Sequence, residues 1–86
     1  MGNEQQDHAV KCDILFFGHL AEKFETKKLQ IALYSGTTIS QLAERLQIDD
    51  MLSTGIKVAL NGEICDPDNI IPDAAEVAFL PPVSGG

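Results

Sequence analysis

Thr38-Ile39-Ser40-Gln41-Leu42-Ala43-Glu44-Arg45-Leu46 is the stretch from which the rest of the chain is read. Thr38 is a good N-cap, and Gln41 stands three positions on, the spacing of a capping box. Ile39, Leu42, Ala43 and Leu46 recur at i, i+3, i+4 and i+7, so a helix over these residues carries one apolar stripe. Glu44 and Arg45 lie off that stripe, toward water. A helix with one apolar face needs a sheet or another helix to cover it, and the flanking sequence supplies strands.

Upstream, Val10, Cys12, Ile14 and Phe16 alternate with Lys11, Asp13, Leu15 and Phe17, which predicts a strand over Val10–Phe17. Its second half is apolar on both faces, as in a strand inside a sheet or one whose outer face meets a partner. Gly18–Phe24 reads as a short helical turn. Lys28–Leu33 reads as a strand with Leu29, Ile31 and Leu33 on one face, closed by Tyr34-Ser35-Gly36. Downstream, Lys57–Leu60 and Glu63–Cys65 flank Asn61-Gly62, the strongest short-range hairpin signal because both residues tolerate positive φ. Asp66-Pro67-Asp68 and Pro72-Asp73-Ala74-Ala75 read as turns, Ile70 and Ile71 as core, and Glu76–Leu80 as the last strand. In that strand Val77 and Phe79 oppose Glu76, Ala78 and Leu80. Strand, strand, helix, strand, short strand, strand is the element order of the ubiquitin-like β-grasp, an α+β fold: a mixed sheet with one main helix packed on one face. The expected organisation is a disordered tail over 1–9, a domain over 10–80 and a flexible tail over 81–86.

Eighty-six residues allow one domain. The net charge of −7 argues against nucleic-acid binding, which needs clustered cations. It fits either simple solubility or a partner with a basic docking surface. No stretch approaches the roughly 18 apolar residues of a membrane span, and residues 1–8 lack the apolar centre of a signal peptide. The expectation is a cytoplasmic protein with reduced thiols at Cys12 and Cys65. Cys12 shares a strand face with Ile14 and reads as core. His8 and His19 lack neighbours at metal-ligand spacing, so no metal site is expected.

The sequence ends Pro81-Pro82-Val83-Ser84-Gly85-Gly86. Two prolines cannot donate ladder hydrogen bonds, so the strand stops there and the chain stays extended. Gly85 and Gly86, lacking Cβ atoms, can thread a channel too narrow for other residues. The terminal carboxylate then sits at the tip of a thin probe. A carboxylate is unreactive toward nucleophiles, so chemistry at this tip requires prior activation.

Phe79-Leu80-Pro81-Pro82-Val83-Ser84-Gly85-Gly86 resembles the ending of the molybdopterin synthase small-subunit family of sulfur carriers. Ile14-Leu15-Phe16-Phe17-Gly18 resembles the family's first strand, and Lys57-Val58-Ala59-Leu60-Asn61-Gly62-Glu63 its central hairpin. The resemblance covers about Val10 to Gly86. It implies that an E1-like adenylyltransferase uses ATP to convert the Gly86 carboxylate to an acyl adenylate. A sulfur donor enzyme then turns that into a thiocarboxylate. It also implies that Pro81, Pro82, Val83, Ser84 and Gly85 thread the active site of the synthase large subunit, within a heterotetramer. There the sulfur builds the dithiolene of molybdopterin. The chain itself would bind no cofactor and hold no catalytic centre, and the partner would supply the cationic pocket that a thiocarboxylate needs. The family often carries Gly-Asp-Glu before the last strand, where this chain has Asp73-Ala74-Ala75-Glu76, so the turn type there stays open.

Leu15, Phe17, Phe79 and Leu80 are the candidates for docking to the large subunit, since a sheet covered by a helix on one face leaves the other open. Alternation leaves undecided whether Phe17 and Phe79 instead complete the core. Three other readings remain: a carrier for thiamin, cysteine or tRNA thiolation, a protein modifier joined through Gly86 to lysines, and an interaction module with an incidental tail.

Overall fold

The computed structural model describes residues 9–81. The elements run β1 (Ala9–Phe16), α1 (His19–Phe24), β2 (Lys28–Tyr34), α2 (Ile39–Arg45), α3 (Asp49–Leu52), β3 (Lys57–Leu60), β4 (Glu63–Cys65) and β5 (Ala75–Leu80). The five strands form one sheet in the order β2-β1-β5-β3-β4. β1 and β5 are parallel neighbours at its centre, and every other pairing is antiparallel. This is the mixed-sheet β-grasp arrangement expected from the sequence.

The capping box of α2 forms as read. The Thr38 hydroxyl accepts from the Gln41 amide at 3.1 Å, and the Thr38 amide donates to Gln41 Oε1 at 3.0 Å. Ile39, Leu42 and Ala43 are buried against the sheet. The helix ends where Gln47 turns left-handed at φ 63°: its amide donates to Glu44 O, and the Ile48 amide donates to Ala43 O at 2.9 Å. That is a Schellman closure with Gln where glycine is usual. Ala74 is held at φ 63° too, pinned because its amide donates to Lys11 O at 2.8 Å while the Lys11 amide donates to Asp73 Oδ1 at 2.9 Å. Left-handed backbone crowds a Cβ. Replacing either residue by glycine, Gln47→Gly or Ala74→Gly, is therefore expected to stabilise the fold by about 0.5–1 kcal/mol after the entropy of the added glycine is counted. Thermal unfolding should show a melting temperature higher by about 2–8 °C.

The core lies between the helices and one sheet face, where Val10, Cys12, Ile14, Phe16, Val58, Val77 and Phe79 meet Leu20, Ile39, Leu42 and Ile48. The Phe16 and Phe24 rings stack with centroids 4.4 Å apart. Several expectations change, among them that β1 begins at Ala9 and β5 at Ala75, one residue earlier than read. β1 ends at Phe16 instead of Phe17, because Gly18 at φ 58°, ψ −130° turns the chain into α1. α3, a single turn opened by Asp49 and Asp50, was not foreseen from the sequence. Ile70 is not core: it is 60% exposed, while Ile71, whose amide donates to Thr37 O, points inward and is buried. Among the described residues no helix is long and apolar enough to cross a membrane.

Candidate functional site

Directly paired strand residues share a face, so the register lays out the side of the sheet that the helices leave open. One row runs Lys28, Leu15, Ala78, Ala59, Ile64 across β2, β1, β5, β3 and β4. The next row toward the end of β5 holds Leu80 opposite Lys57, with Phe17 two residues beyond Leu15. The row on the other side is polar: Gln30, Asp13 and Glu76. Gln30 Nε2 donates to Asp13 Oδ1 at 3.2 Å, and Lys28 Nζ lies 3.6 Å from Asp13 Oδ2. The open face is thus polar at one end and apolar at the end from which the chain leaves toward residue 86.

The four proposed docking residues do not fall together. Leu15 and Leu80 are half-buried on the open face, and Phe17 is 43% exposed beside them. Phe79 is 0% exposed, opposite Phe16 and Val58 on the inner face, and is withdrawn from the docking set. The strand alternation that sends Leu80 outward sends Phe79 into the core. Ile64, 60% exposed, takes its place. Sequence reasoning missed it, although a two-residue Asn-Gly loop fixes the register: with Leu60 opposite Glu63, Ile64 must share the face of Ala59. The loop forms with Asn61 at φ 52° and Gly62 at φ 88°, and Asn61 Oδ1 accepts from the Glu76 amide at 2.9 Å, tying the hairpin to β5.

Pro81 is the last described residue. It packs beside Gly18, where an added Cβ would meet Pro81 Cγ at 3.8 Å. A depression of about 330 Å³ opens at this point, walled by Phe17, Leu20, Met51, Ile56 and Pro81, with His19 and Lys23 also in its lining. Pro82, Val83, Ser84, Gly85 and Gly86, the expected threading and modified residues, lie outside the described residues.

Neither cysteine is activated as a nucleophile. Burial, then the neighbouring Asp13 carboxylate, pushes the Cys12 thiol above its ordinary value. Burial and Asp66 do the same for Cys65. Both therefore stay protonated at neutral pH, and a thiol is a poor nucleophile beside its thiolate. Among the described residues no three His, Cys, Asp or Glu side chains gather as metal ligands.

A family model described as the ThiS family matches residues 14–86. A Mycobacterium tuberculosis protein named molybdopterin synthase sulfur carrier subunit is 30% identical over 83 residues, covering 90% of this chain and 99% of its own. Among solved structures, Haloferax volcanii small archaeal modifier protein 1 superposes with a TM-score of 0.72 at 21% identity, over 86% of this chain and 99% of that one. A chain from the protein–protein complex of subunits 1 and 2 of the Helicobacter pylori molybdopterin-converting factor superposes with a TM-score of 0.59 at 23% identity, covering 90% and 100%. At these identities the two superpositions speak for the fold.

Proposed function

The chain belongs to the ThiS family, and from that premise we propose that it is a sulfur carrier serving as the small subunit of molybdopterin synthase. The observation that carries this reading is the match to the M. tuberculosis sulfur carrier subunit, which runs over 99% of that protein. The fold supports it by delivering β5 straight into Pro81 at the edge of an apolar face.

In this reading the Gly86 carboxylate attacks the α-phosphate of ATP on an adenylating partner, forming an acyl adenylate and releasing pyrophosphate. Sulfide-level sulfur delivered by a donor enzyme attacks the acyl carbon and displaces AMP, leaving a thiocarboxylate. The chain contributes no acid or base to either step. It presents the tail and docks. Residues 81–85 span the gap between the sheet and the partner's reaction centre, while Leu15, Phe17, Leu80 and Ile64 form the apolar contact with the large subunit.

The test is the intact mass of the protein after incubation with the adenylating enzyme, ATP and a sulfur source. A gain equal to one oxygen exchanged for sulfur is expected. No gain with an enzyme shown to be active ends the carrier reading. Docking is tested separately: Leu80→Ala and Phe17→Ala should each weaken the complex with the large subunit about tenfold or more, the usual cost of truncating a central apolar contact. Neither should shift thermal unfolding by more than a few degrees, because neither side chain is in the core.

The same activated glycine suits a protein modifier, the role in the name of the H. volcanii neighbour. High-mass conjugates in cell extracts that vanish when Gly86 is deleted would mark that use.

A further inference from the structure

We propose that the partner surface closing around the root of the tail is acidic, with carboxylates meeting Lys23, Lys27 and Lys57 around an apolar contact at Phe17; this rests on the carrier reading above. Net charge points the other way, since a chain of −7 should seek a basic partner. The charges are not spread evenly, however. Of the six lysines and arginines in the sequence, four stand at the end of the sheet from which the chain leaves. Lys57 is the strand partner of Leu80. Lys23 lines the depression that Pro81 walls. Lys27 and Lys28 line a second depression on the far side of Phe17, with Leu15 and Gly18.

These cations are largely uncommitted. Lys28 faces Asp13 at 3.6 Å, but among the described residues Lys23, Lys27 and Lys57 have no carboxylate within ion-pair distance. Glu22 lies 3.9 Å from His19 Nδ1 and Asp66 Oδ1 accepts from the Asp68 amide at 2.9 Å, and among the described residues neither these acids nor Glu25 comes within ion-pair distance of the three lysines. Lys23 and Lys27 stand in the two depressions that Phe17 separates, and Lys57 stands across from Leu80, so cations without an ion-pair partner among the described residues flank the apolar residues at this end, as a polar rim flanks the apolar centre of a typical interface. A basic partner surface there would set like charges against one another, and like-charge juxtaposition is how interfaces reject wrong partners. The cationic pocket needed by the thiocarboxylate lies at the tip of the tail, five residues beyond Pro81, so the two requirements fall on different parts of the partner.

The experiment measures association rates with the large synthase subunit from the same source, at low and high salt, for the wild-type chain and for Lys23→Glu/Lys27→Glu/Lys57→Glu. A Glu44→Lys/Asp49→Lys chain, altered on α2 and α3, is the control, and thermal unfolding checks that each variant folds. The lysine reversal is expected to slow association at low salt by about tenfold or more, with the difference shrinking as salt is raised. The control should stay within about twofold of wild type, as expected for charges outside the contact. A rate that is unchanged or faster in the lysine-reversed chain overturns the acidic rim and leaves the carrier reading in place. Absence of any complex with the wild-type chain overturns the assembly itself, and the acidic rim with it.

Discussion

Deletion of Gly86 is expected to lower thiocarboxylate formation by at least about a hundredfold while leaving the melting temperature unchanged. Under the proposed carrier function the reacting atom is the carboxyl carbon of Gly86, and losing one residue would withdraw it by about 3.3–3.6 Å along an extended chain. A displacement of about 1 Å at a reacting centre already costs on the order of a hundredfold. The new terminus, Gly85, keeps the same chemistry, so the loss would report reach rather than reactivity. Intact mass after incubation with the adenylating enzyme, ATP and sulfur donor reads the outcome directly. A truncated chain that gains sulfur as fast as wild type would show that the partner does not measure the tail. The unchanged melting temperature follows from position, because the sheet ends at Leu80.

The second large effect falls on the fold. Phe79→Ala removes a fully buried ring that pairs with Phe16 and Val58. Such truncations cost about 3–5 kcal/mol. A domain of this size holds only about 4–13 kcal/mol in total at about 0.05–0.15 kcal/mol per residue. The variant should therefore melt at least about 12 °C lower, at about 4–8 °C per kcal/mol, or fail to fold. Adjacent Leu80→Ala should do the reverse, sparing stability and weakening the complex. Urea unfolding and partner affinity measured on both variants separate the two faces of β5. Equal loss of stability in both would contradict the inward and outward assignment.

How far this architecture was legible depends on how local its causes are. The helix was readable because its cap and stripe lie within the nine consecutive residues Thr38 to Leu46, and the Asn61-Gly62 hairpin because its loop allows little else. α3 was not, since one turn of helix carries no periodicity and forms only where Met51 and Leu52 find the core edge. Ile70 and Ile71 are chemically alike, and their separation into outside and inside is decided by the Ile71 hydrogen bond to Thr37, far away in sequence. For Phe79 the answer was available. Glu76 cannot easily face the core, and counting along the strand from it puts Phe79 inside. What hid this was the run Val77-Ala78-Phe79-Leu80, apolar at every position. The lysine grouping was invisible for a different reason: Lys57 joins Lys23 and Lys27 at one end of the molecule only once β3 pairs with β5.

The central pair of strands, β1 and β5, joins Cys12 to Ala75 and Phe16 to Phe79. In a chain emerging from the ribosome, the seam that completes the core thus waits for almost the whole domain to be synthesised. An unfinished copy can pair β1 with β2 but leaves the other edge of β1 open, which makes it a target for proteases and chaperones. The strand that closes the fold is the same strand that leads to residue 81, so proteolytic clearance of unclosed chains would spare only copies whose synthesis has passed β5.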